Sequence, residues 1–376
     1  MRGIRAKLFL RLFKKTAAPL LAVGLCAALT LGAMECFGGF FEKITIISAA
    51  AAMPQESLAV GLSELKESSL KKTESSEPIK TQKPQDKTEE TQQSTTSSAP
   101  VQSTVTVPKD AGKISEYAIT PSKTSSKIIW YENAAFSNTS GTSNSEILKI
   151  LKKAPSIKLE EGKPQVLIYH THSTESYEMQ DLGYYEKGSS ARTTDERYNM
   201  IRVGDEIAAQ LEAVGIEVIH DRELYDYPSY NGAYNRSAAT VKKYLEKYPS
   251  ITITLDIHRD AIERADGTRV KPTAVINGKK AAQVMIIAGV DDGTMDFKGW
   301  RENMKFASAL QVKMEQKYSG LTRAAMVCHR RYNMYLTTNS LLIEVGGHAN
   351  TLSEAVYSGE MIGKSLVEVL KEYGTD

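Results

Sequence analysis

Histidines and carboxylates at the ends of apolar runs are the residues of this chain whose type and spacing could do chemistry. Tyr169-His170-Thr171-His172-Ser173-Thr174-Glu175 follows directly on the apolar run Gln165 to Tyr169. Asp256-Ile257-His258-Arg259-Asp260 closes the run Ile251 to Ile257. Glu344 sits among Leu341, Leu342, Ile343 and Val345, just ahead of Gly346-Gly347-His348-Ala349-Asn350. Imidazole and carboxylate ligands suit zinc, and a catalytic zinc takes three protein ligands plus a water. One histidine after a strand is an ordinary structural side chain. Two strand ends each delivering histidine, with a third delivering glutamate, read instead as a hydrolytic metal site. A carboxylate in an apolar run is costly to bury without a partner or a task, and a water activated by a metal gives Glu344 both.

Other chemistries fit less well. Ser173 and Ser176 lie near histidines, but there is no Gly-x-Ser-x-Gly elbow. Of three cysteines, Cys26, Cys36 and Cys328, two lie in or beside the N-terminal apolar run. That leaves one cysteine in the rest of the chain, which argues against a disulfide framework and a cysteine zinc cluster. Cys328 reads as a small buried hydrophobe rather than a catalytic thiol. His329 belongs to the basic stretch Cys328-His329-Arg330-Arg331-Tyr332-Asn333, a loop either near substrate or simply solvated.

The elements that must position these residues alternate. Strands are predicted at Gln165 to Tyr169, Ile216 to Ile219, Ile251 to Ile257, Val284 to Val290 and Leu341 to Val345. Helices are predicted at Ser145 to Lys153, Glu196 to Val214, Asn235 to Lys247, Trp300 to Tyr318 and Ser353 to Tyr373, several with apolar residues at helical spacing. Such alternation predicts an α/β fold, an open, mostly parallel sheet with helices on both faces and its site at the strand ends.

The remainder of the chain differs. Residues 1–41 hold six basic residues and no acid up to Lys15, then 19 uncharged residues from Thr16 to Met34. That length approaches the ~20 residues of a membrane span, and the preceding charges predict a cytoplasmic N-terminus with the rest outside the cell. The rival reading is a cleaved signal peptide ending near Ala50-Ala51-Ala52. Residues 42–115 lack aromatic residues, and Glu64 to Lys113 is rich in Ser, Thr, Glu, Gln, Lys and Pro. Such a linker is expected to be disordered, with a reach of roughly 40 Å for about 50 residues. Residues 116–376 form the expected catalytic domain. With 47 basic and 45 acidic residues the net charge is +2, so nothing marks a nucleic-acid binder.

At VLIYHTHSTESY, LDIHRDA and RYNMYLTTNSLLIEVGGHANT the sequence resembles the stage II sporulation protein P family of cell-wall hydrolases. The resemblance runs from about Ile129 to Asp376. That family is in turn similar to the zinc-dependent N-acetylmuramoyl-L-alanine amidases. The resemblance implies His172 as first zinc ligand with His170 its rival, Glu196 as second with Glu175 its alternative, and His258 as third. It implies Glu344 as the catalytic acid/base. It further implies cleavage of the muramoyl–alanine amide, joined by endopeptidase cleavage of peptide crosslinks, in sporulation engulfment alongside stage II sporulation proteins D and M. Arg259 and Arg331 are candidates to bind a stem-peptide carboxylate. Two other readings stay open: a noncatalytic peptidoglycan-binding scaffold, and a zinc deacetylase of glycan N-acetyl groups.

Overall fold

A computed structural model describes residues 107–375; the predicted membrane span and most of the predicted linker lie outside them. Alternation along Val166–Tyr169 sorts its side chains into two cores. Val166 and Ile168 join the main cluster, whereas Leu167 and Tyr169 pack with Val241 and Ile251. A strand buried on both faces needs cover on both, and the helices supply it.

The strands are β1 (Ala111–Tyr117), β2 (Ile128–Tyr131), β3 (Ala134–Asn138), β4 (Ile157–Lys158), β5 (Val166–Tyr169), β6 (Tyr184–Glu186), β7 (Val218–His220), β8 (Ile253–Asp260), β9 (Arg269–Ile276), β10 (Lys279–Ala282), β11 (Val284–Gly289), β12 (Ala325–Cys328), β13 (Ser340–Gly347) and β14 (Gly374–Thr375). The helices are α1 (Asn144–Leu151), α2 (Ile201–Glu212), α3 (Ala233–Lys247), α4 (Trp300–Lys317) and α5 (Leu352–Tyr373). The large sheet has the order β2-β3-β12-β11-β13-β8-β5-β7. Its joins are parallel except β2–β3 and β11–β13, which bears out the expected α/β fold with a mostly parallel sheet. The main cluster takes side chains from α1, α2, α4 and α5, while Val241 of α3 lies in the second.

Each helix forms where its apolar stripe meets the sheet. In α2 the buried residues Ile201, Gly204, Ile207, Ala208 and Leu211 recur at helical spacing. Helix α5 opens on a capping box, with Thr351 and Glu354 satisfying each other's backbone amides. Gly204 must lack a side chain, because a Cβ there would stand 2.5 Å from His220 Nε2 and 2.7 Å from His170 Nε2.

Two boundaries lie furthest from the sequence reading. Helix α2 starts at Ile201, not Glu196. The stretch before it is held open by Asn199, which accepts from Ile201 N and donates to Thr193 O, and by Met200 N, which donates to Glu175 O. Strand β1 begins at Ala111, inside the stretch assigned to the linker. It pairs with β6 on one side and β9 on the other, in a second sheet ordered β10-β9-β1-β6.

Candidate metal centre

Strand β5 ends at Tyr169, and the chain turns so that residues 170–176 are all buried. Within that turn His172 and Glu175 face His258 of β8, the next strand in the sheet. One ligand atom from each of the three lies within 4.8 Å of the others. His172 Nδ1 stands 3.5 Å from Glu175 Oε1, and His258 Nδ1 stands 3.7 Å from Glu175 Oε2. Ligands about 2 Å from a tetrahedral zinc are separated by roughly 3.4 Å, so this donor set has the spacing the ion needs. Glu344 of β13 lies directly opposite His258 in the ladder and is half-buried between fully buried neighbours, with one carboxylate oxygen, Oε2, lacking any hydrogen-bond partner.

The electrostatics separate the four groups. Burial raises the pKa of Glu175, but His172 and Arg259 outweigh it and hold the carboxyl well below the usual range. Burial lowers His172. At His258 burial is outweighed by the Asp256 carboxylate, which lifts the imidazole to about 9. At Glu344 burial and then the nearby Asp260 push the carboxyl up to about 8. A carboxyl poised near neutrality is suited to both accepting and returning a proton.

The sequence candidates separate in space. His172 and His258 are brought together with Glu175, the alternative carboxylate. Glu196 is not: its side chain is 45% exposed and accepts from Arg222 Nε at 2.9 Å. The reason is the late start of α2, which leaves Glu196 on an outer turn. His170 is also directed elsewhere. Its Nδ1 donates to Ile257 O at 3.0 Å, and its Nε2 lies 2.8 Å from His220 Nε2. Burial lowers His170 to about 3, so it stays neutral. Arg259 is not a free anchor for substrate. It is buried and donates to the carbonyls of Ser176 and Ala191 at 2.8 and 2.7 Å, while its amide donates to Glu175 Oε2. It braces the turn that carries Glu175. Arg331 lies over the Tyr335 ring and donates to Met295 O. Burial pushes the Cys328 thiol up to about 11, which fits an inert core residue.

A model of the stage II sporulation protein P family matches residues 35–367. The chain belongs to that family. Its homologue from Bacillus subtilis (strain 168), stage II sporulation protein P, is 31% identical over 214 residues, 54% of this chain. The chain spans about half the length of that curated relative. Among solved structures, N-acetylmuramoyl-L-alanine amidases from Nostoc punctiforme and Clostridium difficile 630 are similar at 14% and 16% identity. Each match covers 57% of this chain, and 98% and 97% of the amidase, with a TM-score of 0.34. A metallo-carboxypeptidase from Burkholderia cenocepacia is 10% identical with a TM-score of 0.30, covering 64% of this chain and 71% of its own.

In this family member several site residues escape a reading by motif. Asp256 Oδ1 lies 2.8 Å from His258 Nε2, though the ring N–H is poorly aligned with it. Asp256 in turn accepts from Thr171 N and Thr171 Oγ1, at 2.8 and 2.7 Å. A carboxylate behind a ligand histidine fixes the ring's orientation and raises its basicity. Period two along β8 was the available signal, since Asp256 and His258 share a face. Arg192 donates to Asp226 Oδ2 at 2.6 Å, stands 3.6 Å from Glu175 Oε1 and covers the Tyr230 ring. Tyr230 stacks on His172 with ring centroids 4.5 Å apart. No local pattern marks Arg192 or Tyr230, because long loops bring them in. A second acidic group, Asp291, Asp292 and His329, is more exposed, and Asp291 is occupied in accepting from the amides of Gly293, Met295 and Phe297.

Proposed function

We propose that this chain is a zinc-dependent peptidoglycan hydrolase that cleaves the N-acetylmuramoyl-L-alanine amide. The observation that carries the reading is the buried His172–Glu175–His258 cluster with Glu344, whose Oε2 has no hydrogen-bond partner, directly opposite His258 on the next strand. Family membership supports sporulation as the biological setting.

Zinc held by His172, Glu175 and His258 would supply Lewis-acid polarisation of the scissile carbonyl and acidify a water. The rest falls to this chain's own groups. Glu344 accepts a proton as the water oxygen bonds to the carbonyl carbon. It returns that proton to the alanine nitrogen as the C–N bond breaks. Asp256 keeps His258 oriented, and Arg259 keeps Glu175 in place. Tyr230 and Tyr234 wall the crevice beside the two histidines.

The same proposal places the domain outside the cell on a membrane anchor in residues 1–41. It works there with stage II sporulation proteins D and M, and cleavage of peptide crosslinks is a second activity. Protease added to protoplasts should remove the domain; full protection would overturn this placement.

The decisive experiment is digestion of purified sacculi by the zinc-loaded protein, with mass spectrometry of the products. Stem peptides with a free L-alanine amine support the reading. Released acetate would make the protein a deacetylase. Tight binding with no product would make it a scaffold.

A further inference from the structure

Among the described residues, five non-glycines have positive φ: Glu132, Asn277, Asp296, Tyr332 and Asn339. Tyr332, at φ 41°, is the only aromatic one, and a bulky side chain rarely adopts this region. Such outliers persist only where the surroundings fix them, and they concentrate at ligand clamps. The surroundings here do fix it. Met334 N donates to Arg331 O at 2.9 Å across the turn. Asn333 Nδ2 donates to Tyr234 O at 3.2 Å and to Ser237 Oγ at 2.8 Å. Ser237 Oγ is 2.8 Å from Thr171 Oγ1, which donates to Asp256, the carboxylate behind His258. An unbroken buried chain therefore keys the strained turn to the metal centre.

The turn sets the Tyr332 ring against Tyr234, centroids 5.3 Å apart, and Tyr234 lies over His258 and edge-on to His172. Glu344 and Tyr230 both act electrostatically on the Tyr332 hydroxyl. One ring, Tyr234, thus separates Tyr332 from both histidines of the cluster. We propose that Tyr332 is a specificity-determining residue whose ring takes the face of the substrate's pyranose sugar. A tyrosine offers an uncharged π face and one hydroxyl. A pyranose offers C–H faces, which suit the negative ring face, and a hydroxyl rim. A stem peptide bearing carboxylates is a poor match for the same surface.

This inference rests on the amidase reading, and its test separates the two. An N-acetylmuramoyl-L-alanyl peptide and its sugar-free D-lactoyl analogue carry the same scissile amide. For the zinc-loaded wild-type protein, KM should be roughly ten-fold or more lower for the sugar-bearing compound. In Tyr332→Gly, which accepts φ 41° without strain, that preference should vanish, KM for the sugar-bearing compound rising to that for the analogue. Tyr332→Phe should retain most of it. Melting temperature should stay within a few degrees, since the ring's loss is offset by relief of the backbone. A preference unchanged in Tyr332→Gly overturns the proposal. So does a large fall in melting temperature with the preference intact, which would make the ring merely structural. Should Tyr332→Gly fail to fold, Tyr332→Asn, also at ease with positive φ, gives the same reading. If the wild type cleaves neither compound, the amidase reading fails, and calorimetric binding of the two uncleaved compounds decides the role of Tyr332 by the same ratio.

Discussion

Glu344 and His258 are direct partners across the β13–β8 ladder. Residues opposed in a ladder present their side chains to the same face of the sheet. The proposed proton carrier and the proposed metal ligand therefore share a surface because of backbone register alone. The ladder shifts register only after Glu344, between it and Gly347, so the bulge leaves the pair undisturbed.

Removing the charge of Glu344 should separate holding the metal from using it. Glu344→Gln keeps the shape but cannot accept a proton. It should bind zinc stoichiometrically, with turnover down by roughly 10²–10⁴-fold. Metal content and stem-peptide release are the measurements. Zinc lost from the purified variant would make Glu344 a ligand.

The two rival carboxylates should behave oppositely. Glu175→Ala should weaken zinc binding by more than the ~10–100-fold typical of outer-sphere changes. Glu196→Ala should leave it unchanged, because it removes only a surface pair with Arg222 worth at most ~1 kcal/mol. Competition with a chelating dye reads both, and equal effects would return Glu196 to the site.

His348 should tie stability to pH. Burial lowers its imidazole to about 4, against ~6.5 in an unfolded chain. Between those values the unfolded state binds the extra proton, so this contribution rises with pH and is lost as pH falls from ~6.5 to ~4. Its full size is a few kcal/mol. Denaturant melts of wild type and His348→Gln across that range, in chelator, should show a shallower slope for the variant. Parallel slopes would show that His348 titrates normally.

Strand β1 should add measurably to the stability of the fold. It lies between β6 and β9, and its Glu116 pairs with Lys280 at 2.8 Å and approaches buried Lys271 at 3.5 Å. A chain begun at Val107 should melt as the complete protein does. One begun at Ile119 should melt lower by roughly 10 °C, the equivalent of several kcal/mol. Identical melting would show that β9 and β6 need no strand between them.

The parts of this fold legible in the sequence were those with a strong local period. The Gln165 to Tyr169 and Leu341 to Val345 runs appear as β5 and β13 because alternating burial on two faces leaves an unbroken apolar string. Glu196 was misplaced in space because Met200, Ile201 and Ile207 set a helical period without marking its start, and Asn199 holds the preceding turn open. Glu175 was legible only as a neighbour of His172; its selection depends on a tight turn that spacing does not reveal. The β9–β10 hairpin carried a signal that went unread. Asn277-Gly278, with φ of 51° and 75°, is the turn that a two-residue hairpin favours. Arg192 and Tyr230 reach the centre by tertiary contacts alone, so no local pattern could disclose them.

The placement of β1 has a mechanical consequence. Ala111 to Lys113 are laddered to β6, and Ile114 to Tyr117 to β9. Tension arriving along the preceding chain is borne by these two seams before it reaches any helix. Strand β6 lies in the segment joining Glu175 to α2, the segment that also supplies Arg192. A pull on the chain ahead of Ala111 would thus be felt first by the loop that carries Arg192 beside Glu175.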